Sequence, residues 1–198
     1  MKKGLTCVFL LLVFIVCSFS IYDVSAEDAL TIIHKRKSVR EYLNKPVTKE
    51  QLTVLMKAAM AAPTAMDKRP WAFVVITQKE MLAKLSEGMP YSKMIVPAGA
   101  AIVVCGDVTK ALPGQAQEFW IQDCSAASEN ILLAAEAIGL GAVWTGVYPS
   151  DERVLFVRQA LGLPENIIPL NIIAIGNPVG AEKPKDKFDP GNIHWEKW

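Results

Sequence analysis

The sequence predicts a layered fold, α/β or α+β, built around a central sheet. Three features of the pattern predict it. Two helical segments come first, four short apolar runs follow, and helical patterns separate those runs. The chain has 198 residues, of which 52% are hydrophobic and 21% charged. That length allows one domain with a sizeable core, and no stretch is polar enough for long disorder.

The first 26 residues read as a signal peptide, leaving a domain over 27–198. Lys2 and Lys3 give a positive start, an apolar run spans Leu5 to Cys17, and Val24-Ser25-Ala26 places cleavage after Ala26. The run is shorter than the roughly 20 residues of a membrane-spanning helix, so an uncleaved anchor is the weaker alternative. There is no twin-arginine start, and Val16 is large for a lipoprotein cut before Cys17. Ordinary Sec export to the periplasm or medium is therefore expected, with no membrane association of the mature form. A start codon further downstream would make the protein cytoplasmic.

A helical pattern runs from Asp28 to about Lys35, with Leu30, Ile33 and His34 toward one side. After Pro46, Thr48 and Gln51 form the spacing of a capping box. Leu52, Leu55, Met56 and Ala59 continue that helix until Pro63 stops it. Trp71–Thr77 reads as a buried strand, Lys79–Glu87 as a helix and Ala100–Cys105 as a second buried strand. A long alanine-rich helix is expected from about Gln115 to Ile138, closed by Gly139. Ala142–Val147 is a third strand, and a helix capped by Asp151 runs to Leu161. Gly162 and Pro164 terminate it, and Leu170–Ile175 is the fourth strand. The tail from Gly176 to Trp198 is irregular, yet it carries Phe188, Ile193, Trp195 and Trp198, which need a surface to cover; a partner subunit supplies one.

Of 21 basic and 20 acidic residues, Lys2, Lys3 and Asp23 leave with the leader, so 19 of each remain. This balance argues against nucleic acid or an anionic membrane as a partner. Cys7 and Cys17 leave too. Cys105 and Cys124 could pair in an exported chain, but their positions in a strand and a helix favour buried free thiols.

Three constellations could carry chemistry. Arg36-Lys37-Ser38-Val39-Arg40 offers three cations and a hydroxyl, a donor set suited to phosphate, although composition alone favours a solvated helix end. Lys185-Asp186-Lys187 is a second, shorter charge cluster. Ala61-Ala62-Pro63-Thr64-Ala65-Met66-Asp67-Lys68-Arg69-Pro70-Trp71 is a loop whose small residues admit a flat ligand, or simply a helix-to-strand connection. Gly139-Leu140-Gly141-Ala142-Val143-Trp144-Thr145-Gly146 is not a dinucleotide fingerprint. It ends a helix and opens a strand, the reverse of the Rossmann arrangement, and lacks the glycine spacing.

Taken in order, Arg-Lys-Ser-Val-Arg, Ala-Pro-Thr-Ala before Pro-Trp-Ala-Phe, Gly-Leu-Gly-Ala-Val-Trp-Thr-Gly and a final Ile-Gly-Asn-Pro with a lysine pair and His-Trp-Glu resemble the nitroreductase family of flavoenzymes. The resemblance spans essentially the whole mature chain. It implies an α+β fold, with a central sheet flanked by helices, in an intertwined homodimer with a C-terminal extension and two FMN sites at the interface. It assigns Arg36, Lys37, Ser38, Arg40, Lys185 and Lys187 to the ribityl phosphate. It assigns Pro63, Thr64, Ala65, Met66 and Asp67 of the other subunit, with Trp144, Thr145 and Gly146, to the isoalloxazine ring. Lys37 and Lys187 replace common arginines, Asp67 a common Asn, and Arg69 a frequent Gln.

The resemblance further implies an oxidoreductase in which NADH or NADPH passes two electrons through flavin N5 to a nitroaromatic, quinone or similar small acceptor by a ping-pong mechanism. It assigns no acid–base residue, and His34 and His194 read as structural. The short stretches Gly88–Gly99 and Lys110–Gln117 favour an open site over the lid of dehalogenating relatives. Other readings are a flavin- or haem-binding carrier, or dehalogenation or flavin fragmentation on the same scaffold. Because Sec passes unfolded chains, an exported form would acquire FMN after export.

Overall fold

A computed structural model describes residues 29–198. The expected leader, its cleavage after Ala26 and the helix start at Asp28 lie outside the described residues. The helices are α1 (Ala29–Lys35), α2 (Lys49–Met60), α3 (Lys79–Glu87), α4 (Phe119–Ala137) and α5 (Asp151–Leu161). The strands are β1 (Trp71–Ile76), β2 (Ala100–Asp107), β3 (Gly141–Gly146) and β4 (Ile167–Gly176). They form one sheet in the order β1-β2-β4-β3, and every neighbouring pair is antiparallel. Of the two layer classes the pattern allowed, this is the α+β one.

Strand alternation divides the core between the two faces of the sheet. Ile102 and Val104 of β2 and Ile173 and Ile175 of β4 face α2 and α4, where Leu55, Ala59, Cys124, Ala127 and Ile131 meet them. Val103 and Cys105 of β2 and Ile172 and Ala174 of β4 face the other way, toward Leu82 and Leu85 of α3 and Val157 of α5. The central strands β2 and β4 are thus buried on both sides, which explains their unbroken apolar runs. Cys105 and Cys124 occupy opposite faces as buried free thiols, and burial pushes the Cys105 thiol up to about 12.

Local signals place most boundaries. The capping box at α2 forms as expected: Gln51 N–H donates to Thr48 Oγ1 at 3.2 Å and Thr48 N–H to Gln51 Oε1 at 3.0 Å. Four readings shift. The long helix starts at Phe119, because Gly114–Glu118 wind as a 3-10 turn that leads into it. The N-cap of α5 is Ser150; Asp151 opens the first turn with Glu152, where both carboxylates complement the positive end of the helix dipole. In α1 the buried residue is Ile32, whereas Leu30 and Ile33 are exposed. β4 begins at Ile167, three residues before the expected start, and therefore contains Pro169. That proline lies beyond the pairing of β3, which ends at Asn171, and beside a register shift in β2 at Val104/Cys105. A missing N–H is tolerated there because only one neighbour needs the ladder. Among the described residues, no helix is long and apolar enough to cross a membrane.

Close approach at the start of β3 fixes one glycine. A Cβ on Gly141 would come within 2.6 Å of Val39 Cγ1, and Val39 is itself 1% exposed. Gly141→Ala should therefore cost about 1–3 kcal/mol through overpacking. Chemical denaturation should show a lower midpoint with an unchanged slope, and an unaltered midpoint would contradict this packing.

Candidate functional site

The segment after α1 is fastened to the sheet at two places. Ser38 bridges Ala142 in parallel, with Val39 N–H donating to Ala142 O at 3.0 Å. Tyr42 then bridges Pro178, Leu43 N–H donates to Asn177 O at 2.9 Å, and Val179 N–H donates to Glu41 O at 3.1 Å. The Tyr42 ring is buried over Gly176, where a Cβ would lie 2.8 Å from it. Its hydroxyl donates to Val39 O at 2.8 Å, and burial drives its pKa upward. Beyond Val179 the tail turns back along the same segment. Glu182 Oε1 accepts from Arg40 N–H at 2.8 Å and from Glu41 N–H at 3.2 Å.

This stitching brings the two charge clusters to one cavity of about 380 Å³. Arg36, Lys37, Ser38 and Arg40 line it from the first segment, and Glu182, Lys183, Lys185 and Lys187 from the tail. The sequence reading found six of these eight and missed Glu182 and Lys183, which lie in the same short stretch but carry no distinguishing spacing. The cations are not equivalent. Lys37 Nζ donates to both oxygens of Glu136, at 3.0 and 3.1 Å, and Arg36 Nε pairs with Glu129 Oε1 at 3.0 Å. Both carboxylates project from α4, so the helix orients the first segment and partly neutralises it. Burial opposes ionisation of Glu182, but the amide hydrogen bonds and nearby Lys37 outweigh it and hold the carboxyl below its ordinary value. Its Oε2 is buried without a hydrogen-bond partner.

A second cavity of about 190 Å³ shares Arg40 with the first. Trp144, Thr145 and Gly146 of β3 form one wall, facing Tyr91 and Arg153, neither of which the sequence singled out. Thr145 Oγ1 donates to Ile172 O at 2.7 Å, which commits its hydroxyl to the sheet. Arg153 Nη1 donates to Gly146 O at 3.2 Å. Neither histidine lines this cavity: His34 sits beside the tail at Lys185–Phe188, and His194 stacks on Trp198 at 4.1 Å between ring centroids.

Pro63, Thr64, Ala65, Met66 and Asp67 line neither cavity of the same chain. Their loop is nonetheless tightly specified. Ala65 N–H donates to Oδ1 of buried Asp123 at 2.9 Å, and Arg69 N–H donates to Thr64 Oγ1 at 3.1 Å. Met66, Asp67 and Arg69 all have left-handed backbone, at φ 49°, 54° and 50°. Such conformations in non-glycine residues persist where surrounding contacts impose them, and they concentrate at ligand sites. Asp67 and Arg69, the two departures from the family pattern in this loop, are each other's partners. Arg69 Nε and Nη2 reach the two Asp67 oxygens at 2.7 and 2.6 Å. Hydrogen bonding from Arg69 lowers the Asp67 pKa, and the carboxylate is presented as half of an ion pair.

The Lys37–Glu136 pair makes a direct test of the cavity as an anion site. Glu136→Gln leaves the Lys37 charge uncompensated, so inorganic phosphate should bind several-fold more tightly at low ionic strength, with the gain shrinking as salt is added. Calorimetric titration reads the effect. Unchanged or weaker binding would show that Lys37 does not act on an anion in this cavity.

Comparison with known proteins identifies the chain's family. The sequence pattern of the Nitroreductase family matches residues 33–90 and 87–177. A Methanothermobacter thermautotrophicus protein, provisionally named an NADH dehydrogenase/NAD(P)H nitroreductase, is 47% identical over 176 residues, covering 88% of this chain and 90% of its own. A crystal structure from Parabacteroides distasonis under the same provisional name has a TM-score of 0.81 at 47% identity, covering 86% of this chain and 98% of the other. An FMN-dependent nitroreductase from Clostridium difficile superposes with a TM-score of 0.78 at 29% identity, over 85% and 99% of the two chains. With the family pattern spread over most of its length and near-half identity to full-length relatives, this chain belongs to the nitroreductase family of oxidoreductases.

Proposed function

We propose that the protein is an FMN-dependent oxidoreductase that passes two electrons from NADH or NADPH to a small acceptor such as a nitroaromatic or a quinone. The observation that carries this reading is the meeting of Arg36–Arg40 with Lys185 and Lys187 around one cavity, next to a second cavity walled by β3. The residues present fit FMN. Cations and the Ser38 hydroxyl are donors for phosphate oxygens. When bound, FMN supplies the two-electron chemistry, in alternating half-reactions with the nicotinamide donor and the acceptor.

The chain's own part in this reading is to hold and to shield. Ser38, Lys185 and Lys187 bind the phosphate, with Arg36, paired with Glu129, and Lys37, tethered to Glu136, as weaker contributors. Arg40, which borders both cavities, places its charge between phosphate and ring. The main chain at Trp144, Thr145 and Gly146 flanks the ring. Pro63–Asp67 come from a second copy of the chain, which is why they line no cavity in their own. No side chain is assigned as an acid or base.

A homodimer also accounts for the exposed apolar surface of one chain. Leu30, Ile33, Val54, Met60, Phe188, Trp195 and Trp198 are all solvent-exposed in isolation, and Trp195 and Trp198 are 82% and 100% exposed. An irregular tail gains little from such side chains unless another surface covers them.

Arg40→Ala should remain folded and weaken FMN binding roughly ten- to hundred-fold, the loss expected for one charge-assisted contact. Full flavin retention would contradict the assignment. The purified protein should elute as a dimer, and a stable flavin-bound monomer would refute the shared site. Addition of NADH or NADPH should bleach the flavin band near about 450 nm, a property of flavins generally; a yellow protein that neither donor bleaches would be a carrier.

A further inference from the structure

We propose that Glu182 is the positioning residue that assembles the anion cavity, bolting the tail to the amino-terminal anchor. This rests on the flavin reading only for the identity of the ligand. The two halves of the cavity come from residues far apart in the chain, and the tail that supplies the second half contains no helix or strand between Gly176 and a short turn at Pro190–Asn192. Backbone contacts hold that tail as far as Val179, through Glu41. Lys183, Lys185 and Lys187 lie beyond that point. At their edge stands one carboxylate, Glu182, whose Oε1 takes the amide hydrogens of both Arg40 and Glu41.

A carboxylate among so many cations would be wasteful if charge were its purpose, because it opposes any incoming anion. Its worth is geometric. Adjacent amides in an anion cavity would otherwise be available to phosphate itself. Here the chain spends them on its own tail and leaves phosphate to the side chains. Two hydrogen bonds to a charged acceptor are among the stronger local contacts a chain can make. They fix the positions of Arg40 and of the lysines at the same time. The other carboxylate oxygen is buried without a hydrogen-bond partner, so the bolt runs through Oε1 alone.

The test compares Glu182→Ala with Glu182→Gln in the full chain, with three readouts: hydrogen exchange at the Arg40 and Glu41 amides, FMN affinity by fluorescence titration, and inorganic phosphate affinity by calorimetry. Glu182→Ala should expose both amides to exchange and weaken FMN and phosphate by about ten-fold or more. Glu182→Gln keeps an oxygen that accepts the same two bonds. It should retain amide protection, bind FMN within about three-fold of the natural protein, and bind phosphate more tightly because a negative charge has left the cavity. FMN and phosphate affinities unchanged by Glu182→Ala would overturn the proposal. So would a Gln variant as defective as the Ala variant despite protected amides, since that would make charge, not the bolt, the property that matters. If the exchange and phosphate results hold while neither the natural protein nor the Gln variant binds FMN, the bolt stands and the flavin reading fails.

Discussion

The site depends on a short extended segment, residues 38–43, being sandwiched between the sheet and the tail. On its inner side, Val39 and Tyr42 are buried against Gly141 and Gly176, the first residue of β3 and the last of β4, which pair with each other. On its outer side, the chain leaving β4 returns through Asn177, Val179 and Glu182 to take up the backbone groups of Arg40, Glu41 and Leu43. Val39 and Tyr42, three residues apart, face the core, and Ser38 and Arg40 line the cavity. Without those two buried anchors the Arg-Lys-Ser-Val-Arg run would be the solvated helix end its composition also permits.

Much of this was legible in the sequence because it rests on local chemistry. The capping box at Thr48, the breaks at Pro63 and Gly162, and the buried strands of Val, Ile and Ala each carry their own signal. What was not legible depends on neighbours distant in the chain. Pro169 falls outside the strand expected from Leu170, yet β4 includes it because the pairing with β3 stops short of it. Leu30 and Ile33 read as a core face by periodicity, yet the helix is too short for periodicity to choose between Ile32 and its neighbours, and packing on α4 decides for Ile32. The two basic clusters were joined by family resemblance rather than by pattern. Glu182 could not have been found, since its role is set by which amides lie opposite it, 141 and 142 residues away.

The departures from the family pattern look less disruptive in three dimensions than in one. Asp67 places a carboxylate where an amide is common, but Arg69, two residues on, meets both of its oxygens. The loop therefore presents an ion pair in a strained turn rather than a bare negative charge. Lys37 in place of arginine loses the bidentate fork, and its ammonium donates to both oxygens of Glu136. In these two cases the change comes with a partner that absorbs it; Lys187, the third, lines the cavity beside Arg40 and Lys185.

The account stands or falls on one anion being held by both ends of the same chain. A crystal structure of the protein loaded with FMN tests this most directly. The prediction is a phosphate within hydrogen-bond reach of Arg36 or Ser38 on one side and of Lys185 or Lys187 on the other, all from one protomer. A phosphate bound elsewhere, or held by one cluster while the other faces solvent, would contradict it.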